Sequence, residues 1–166
     1  FGQGLIVMNA DKSTIKNVNF ENLATPSKGN WELTGAVTFY ESPVELNGVS
    51  FSNARAEDSL NIVRGEFEIF NSTFENSDFD CLDVDFGQGT IKSSTFTNCG
   101  NDGLDISGTT ITLEDINIFE PGDKGISGGE ESSIEANNVK ITGGYVGVAG
   151  KDNSKIKINK IEVSNC

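Results

Sequence analysis

Five short segments, EDSLNI, FDCLDV, NDGLDI, DKGISG and YVGVAG, recur at one fixed interval. Their second residues are Asp58, Asp80, Asp102, Lys124 and Val146, each 22 positions after the last. The apolar residue two places on follows as Leu60, Leu82, Leu104, Ile126 and Val148. A constant interval of this length marks a repeat architecture, in which each unit covers its apolar face only by stacking on its neighbours.

Two further segments repeat in phase with the first. One carries Phe67 and Ile69, Gly89 and Ile91, Ile111 and Leu113, Ile134 and Ala136, then Ile156 and Ile158. The other carries Ser72 and Phe74, Ser94 and Phe96, Ile116 and Ile118, Val139 and Ile141, then Ile161 and Val163. Each alternates apolar and polar residues with period two, as short half-buried strands do, and helical periodicity is absent. The expectation is an all-β chain: a parallel β-helix solenoid of about 22 residues per coil, roughly seven coils and three short strands per coil.

The pattern extends backwards through Val37, Phe39, Val44, Leu46, Val49 and Phe51, and before them Ile6, Met8, Ile15, Val18 and Phe20. Phe20 to Phe51 is 31 residues, nine more than a coil, which puts an inserted loop near 23–35, within LATPSKGNWELTG. A single domain over 1–166 is expected. Opening on Phe1 and stopping at Cys166 in mid-pattern, the chain reads as a piece of a longer protein, with neighbouring domains as its first partners.

Charge narrows the partners. Twelve Lys plus Arg against 25 Asp plus Glu give a formal charge of −13, which disfavours nucleic acid and anionic membrane surfaces. No apolar run approaches the ~18 residues of a membrane span. Both ends of a solenoid present open strand edges, so end-to-end self-association into a filament is a further expectation.

Asn22, Asn53, Asn76 and Asn98 each lie two residues after the third-strand aromatic. Stacked asparagines bond each other's amides and tolerate the left-handed backbone of a tight corner, so this column is read as structural. Asp58, Asp80 and Asp102 form a second column that ends in Lys124. Inward carboxylates there would be costly, so they are placed in the corner as Asx-turn caps, with Lys124 neutralising the end.

The run from NADKSTIKNVNFEN through GNWELTGAVTFYESPVEL, ARAEDSLNI, GNDGLDISG and GDKGISGGE resembles the parallel β-helix domains that accompany CotH-type proteins of bacterial surfaces. More distantly it is similar to the pectin-lyase-like superfamily. The resemblance implies a right-handed helix and a secreted or cell-surface location. It supplies no activity, because that superfamily holds lyases and hydrolases as well as adhesins.

Functional candidates concentrate on the first strand. With Leu82 and Val84 inward, alternation turns Cys81, Asp83 and Asp85 outward, and the next coil adds Asp105, with Asn61 before and Ser127 after. Three carboxylates so close need compensation: a bound Ca²⁺ held by Asp83, Asp85 and Asp105, a shared proton, or solvent screening. An enzyme reading makes these aspartates a polysaccharide lyase or glycoside hydrolase site acting on acidic polysaccharide, with Arg64 as a candidate base. The histidine count of zero removes the histidine-dependent sites of polygalacturonases and alginate epimerases.

Trp31, Tyr40 and Glu41 form a second candidate, a glycan-binding surface, with Trp31 as an end cover the alternative. Cys81, Cys99 and Cys166 make no metal-like pair, and Cys99 and Cys166, about three coils apart, cannot bridge. The leading expectation is a non-catalytic extracellular module, a rigid spacer or a binding surface for glycan or Ca²⁺.

Overall fold

The computed structural model describes residues 2–28 and 31–166, with Trp31 by its backbone alone. The chain winds into an all-β parallel solenoid of about seven turns, with about 22 residues per turn. Its first sheet has seven strands in chain order, Leu5–Met8, Gly35–Tyr40, Asp58–Val63, Asp80–Asp85, Leu104–Ser107, Lys124–Gly129 and Val146–Gly150. Every neighbouring pair is parallel; from Asp58–Val63 onward the register is 22 residues, as in Leu60 to Leu82 and Leu82 to Leu104, while Leu5 to Val37 spans 32 and Val37 to Leu60 spans 23. A ten-stranded sheet holds the remaining two segments of each coil.

In the later coils those two segments are one bent strand each, Gln88–Cys99, Thr110–Phe119, Ser133–Thr142 and Lys155–Ser164, rather than two. The bend is a single residue in the left-handed region. Asn17, Gly48, Asn71, Ser93, Asp115, Asn138 and Lys160 all have φ between 49° and 64° there. The other two corners repeat the device: Asn9, Glu41, Arg64, Phe86, Gly108 and Glu130 at one, Asn22, Asn53, Asn76, Asn98 and Glu120 at the other. One positive φ turns the chain without spending extra residues, which is how a coil closes in 22.

Inward columns fill the core. Phe20, Phe51, Phe74 and Phe96 stack with ring centroids 5.1, 4.6 and 4.7 Å apart, matching the ~4.8 Å strand spacing that the register imposes. Leu60, Ile62, Leu82, Val84, Leu104 and Ile106 face them, all fully buried. Gly89 interrupts one column because a Cβ there would lie 2.6 Å from the Phe67 ring, so the ring occupies that space. On the outer face of the second sheet Lys92 pairs with Glu114 and Lys157 with Glu135, one coil apart in each case. The last coil leaves Val146, Ile161 and Val163 partly exposed.

The inserted segment is only partly irregular. Leu23–Ala24 pairs with Gly2–Gln3 in parallel, and Ser27–Lys28 pairs with Trp31–Glu32 as an antiparallel ribbon.

At the asparagine corner Asn98 Nδ2 donates to Asn76 Oδ1 at 2.8 Å, and Asn76 Nδ2 to Asn53 Oδ1 at 3.4 Å. Asn98→Ala therefore loses one such bond and puts a Cβ-bearing residue of lower left-handed tolerance at φ 54°. A loss of about 1–2 kcal/mol is expected in urea unfolding, and Asn98→Gly should recover part of it.

Candidate functional site

The outer face of the first sheet carries two rows of side chains. Register aligns Thr38, Asn61, Asp83, Asp105 and Ser127 in one row, and Tyr40, Val63, Asp85, Ser107 and Gly129 in the next. The three candidate carboxylates are thus neighbours: Asp83 and Asp105 sit one strand step apart, and Asp85 lies two residues along from Asp83. All three are only partly exposed, while Asn61 is buried at 3% and Thr38 and Ser127 are closed off completely.

A hydrogen-bonded group forms at the centre of the face. Asn61 Nδ2 donates to Asp83 Oδ2 at 3.1 Å and reaches Asp85 Oδ2 at 3.4 Å, so one amide serves both carboxyls. Burial, reinforced by the charges of Asp58, Asp85 and Asp105, pushes the Asp83 carboxyl up to about 9. Burial raises Asp85 as well, opposed by its bond from Asn61. Of the three compensations considered for this cluster, retention of a proton is the one that burial of Asp83 and Asp85 favours. Among the described residues, no group of three or more His, Cys, Asp or Glu side chains is placed to hold a metal ion. The Asn61 amide, a donor, points at the oxygens a cation would need.

Asp58, Asp80 and Asp102 differ from the Asx-turn caps anticipated for them. They are buried, at 1%, 8% and 2% exposure, and Asp80 and Asp102 cap across coils rather than within one. Asp80 Oδ1 accepts from the Asp102 backbone N–H at 2.6 Å and from Asn101 Nδ2 at 2.8 Å. Asp102 Oδ1 accepts in turn from the Lys124 N–H at 3.0 Å and its Nζ at 3.3 Å. Stacking at one strand spacing makes the N–H of the next coil the nearest donor, so the ladder replaces a local turn. Asp58 begins the column without that bond, because the Asp80 N–H is taken by the Glu57 carbonyl, and its Oδ2 has no partner. Burial raises its carboxyl to about 7 and that of Asp80 to about 6.

Cys81 does not face solvent. It is fully buried and bonded to Cys99, with Cα atoms 5.4 Å apart. Strict alternation fails at the start of the strand because the corner following the third segment curls over it. The coil before shows the same contact in another chemistry, with Ser59 Oγ donating to Ser77 Oγ at 3.0 Å. Eighteen residues of a 22-residue coil separate the two cysteines, so they meet across the corner that closes the ring. That separation was the available signal. Cys166 is free and exposed.

Aromatic rings stand at both ends of strand Asp80–Asp85. Phe79 precedes it, 55% exposed, and Phe86 follows it, 51% exposed. Phe86 occupies the left-handed corner at φ 53°, and its ring lies across Gly108, where a Cβ would come within 2.3 Å of it. The Arg64 guanidinium carbon stands 5.6 Å from the Phe86 centroid, and Arg64 Nη1 donates to the Tyr40 hydroxyl at 3.2 Å. The Arg64 guanidinium is therefore engaged by Tyr40 and Phe86, while its backbone N–H donates to the Asp85 carbonyl at 2.8 Å. Tyr40 belongs to this same face, with Glu41 exposed beside it at the corner, whereas the Trp31 side chain and Asn30 lie outside the described residues.

These features define a parallel β-solenoid whose first sheet presents a partly buried polar strip between exposed rings. Compared with family models and with curated proteins, the chain matches none of them.

Proposed function

We propose that this chain is a non-catalytic extracellular or cell-surface β-helix module that holds a glycan on the outer face of its first sheet, with the solenoid as a rigid spacer. The carrying observation is the Asn61, Asp83 and Asp85 group set between the exposed rings of Phe79 and Phe86. Directional polar groups flanked by aromatic planes are what a hydroxyl-bearing ring with apolar C–H faces requires. The Cys81–Cys99 disulfide supports a secreted or surface location, since such bonds persist in oxidising compartments. The likeness of GNDGLDISG and GDKGISGGE to the right-handed domains that accompany CotH-type proteins, and more distantly to the pectin-lyase-like superfamily, points the same way.

A second reading, a glycoside hydrolase or polysaccharide lyase, is favoured by one feature: a protonated Asp83 stands one strand step from the carboxyl of Asp105. Incubation with insoluble cell-wall polysaccharide separates the two. Retention of the protein with no release of reducing or unsaturated ends is expected. Release of such ends that Asp83→Asn abolishes would establish the enzyme instead.

A further inference from the structure

The same face also carries information about which glycan it would take, an argument that rests on the binding reading above. Its two rows contain Thr38, Asn61, Asp83, Asp105 and Ser127, then Tyr40, Val63, Asp85, Ser107 and Gly129, with no lysine or arginine among them. Of the cations beside these rows, Lys124 is paired with Asp102 and Asp123, Arg64 is held by Tyr40 and Phe86, and Lys151 lies over Gly129 at the far end, two strands from Asp85. A uronate chain would lay one carboxylate after another against the aspartates, and of these three cations Lys151, at the far end of the strip, is the one left to offset the repulsion.

Two polar groups on the face also lack partners. Ser127, completely buried, has an unbonded hydroxyl, and Oδ1 of Asp105, its neighbour in register, is likewise buried and unbonded. Buried polar atoms left unmet cost free energy that a hydroxyl or a bridging water can recover.

We propose that the ligand is a neutral polysaccharide whose rings stack on Phe79 and Phe86 while its hydroxyls bond to the partly exposed carboxyls of Asp83, Asp85 and Asp105. A carboxylic acid beside a carboxylate suits that role, because the pair offers both a donor and an acceptor to sugar hydroxyls without adding a second charge.

Native electrophoresis in gels containing a soluble polymer tests this directly, with β-glucan, galactomannan and arabinoxylan as neutral probes and polygalacturonate and alginate as acidic ones. At least one neutral polymer should retard the protein and neither uronate should. Phe86→Ala and Phe79→Ala should each weaken that retardation tenfold or more while shifting the melting temperature by no more than about 2 °C, as expected for exposed side chains. Retardation by a uronate alone would overturn the neutral class and leave glycan binding standing. Retardation unaffected by either phenylalanine change would move the ligand off this face. No retardation of folded protein by any probe would remove the binding reading as well.

Discussion

Replacing Cys81 and Cys99 together by serine should lower the melting temperature by about 6–12 °C while leaving the fold intact. The crosslink closes a loop of 18 residues, for which restriction of the unfolded chain contributes about 3 kcal/mol, and a domain of this size loses ~2–4 °C per kcal/mol. Packing should survive, because the preceding coil fills the same two columns with the hydrogen-bonded pair Ser59 and Ser77. The serine variant thus adopts a solution the chain already uses. Scanning calorimetry with and without a reductant checks it: reductant should bring the wild type down to the variant and leave the variant unchanged, and Cys166→Ser should be neutral. A double variant that melts with the wild type would mean that the two thiols are not joined.

The second large effect is on pH. Asp83, Asp58 and Asp80 are held at about 9, 7 and 6, each above the ordinary carboxyl value and each mainly through burial. A carboxyl raised in the folded state keeps its proton there after the unfolded chain has lost it. The stability it contributes is full below about pH 4 and is lost as pH rises through the folded value. The protein should therefore melt on the order of 10 °C higher at pH 5 than at pH 8, with the decline continuing to about pH 9. This runs opposite to a chain dominated by salt-bridged carboxylates. Asp83→Asn supplies a neutral side chain permanently, and its amide oxygen can still accept from Asn61. The variant should melt higher than the wild type at pH 8 and show a flatter profile. A loss of stability at pH 8 would show that the carboxylate itself is needed, as it would be for a bound cation.

The solenoid was legible in the sequence because the 22-residue interval places identical residue types in register, and a slip of one residue would expose every apolar side chain. Two corner columns resisted reading. Asparagines 22, 53, 76 and 98 announce a left-handed turn, but Ser93, Asp115, Arg64 and Phe86 adopt the same conformation with no compositional sign, since stacking on neighbouring coils imposes it. Alternation located Asp83, Asp85 and Asp105 correctly on one face, as their register shows. It failed for Cys81, where a strand end is covered by the next corner, and it missed Phe79 and Phe86, which lie just outside the alternating segment. Asp58, Asp80 and Asp102 are buried, and what sequence alone did not show was the donor that Asp80 and Asp102 obtain from the next coil.

The most direct test of the account is to map, by amide chemical-shift perturbation, where a soluble neutral oligosaccharide touches the ¹⁵N-labelled chain. The account predicts shifts confined to strands Asp58–Val63, Asp80–Asp85 and Leu104–Ser107 and to Phe79 and Phe86. Saturating shifts clustered on the outer face of the ten-stranded sheet, with the first sheet unmoved, would contradict it.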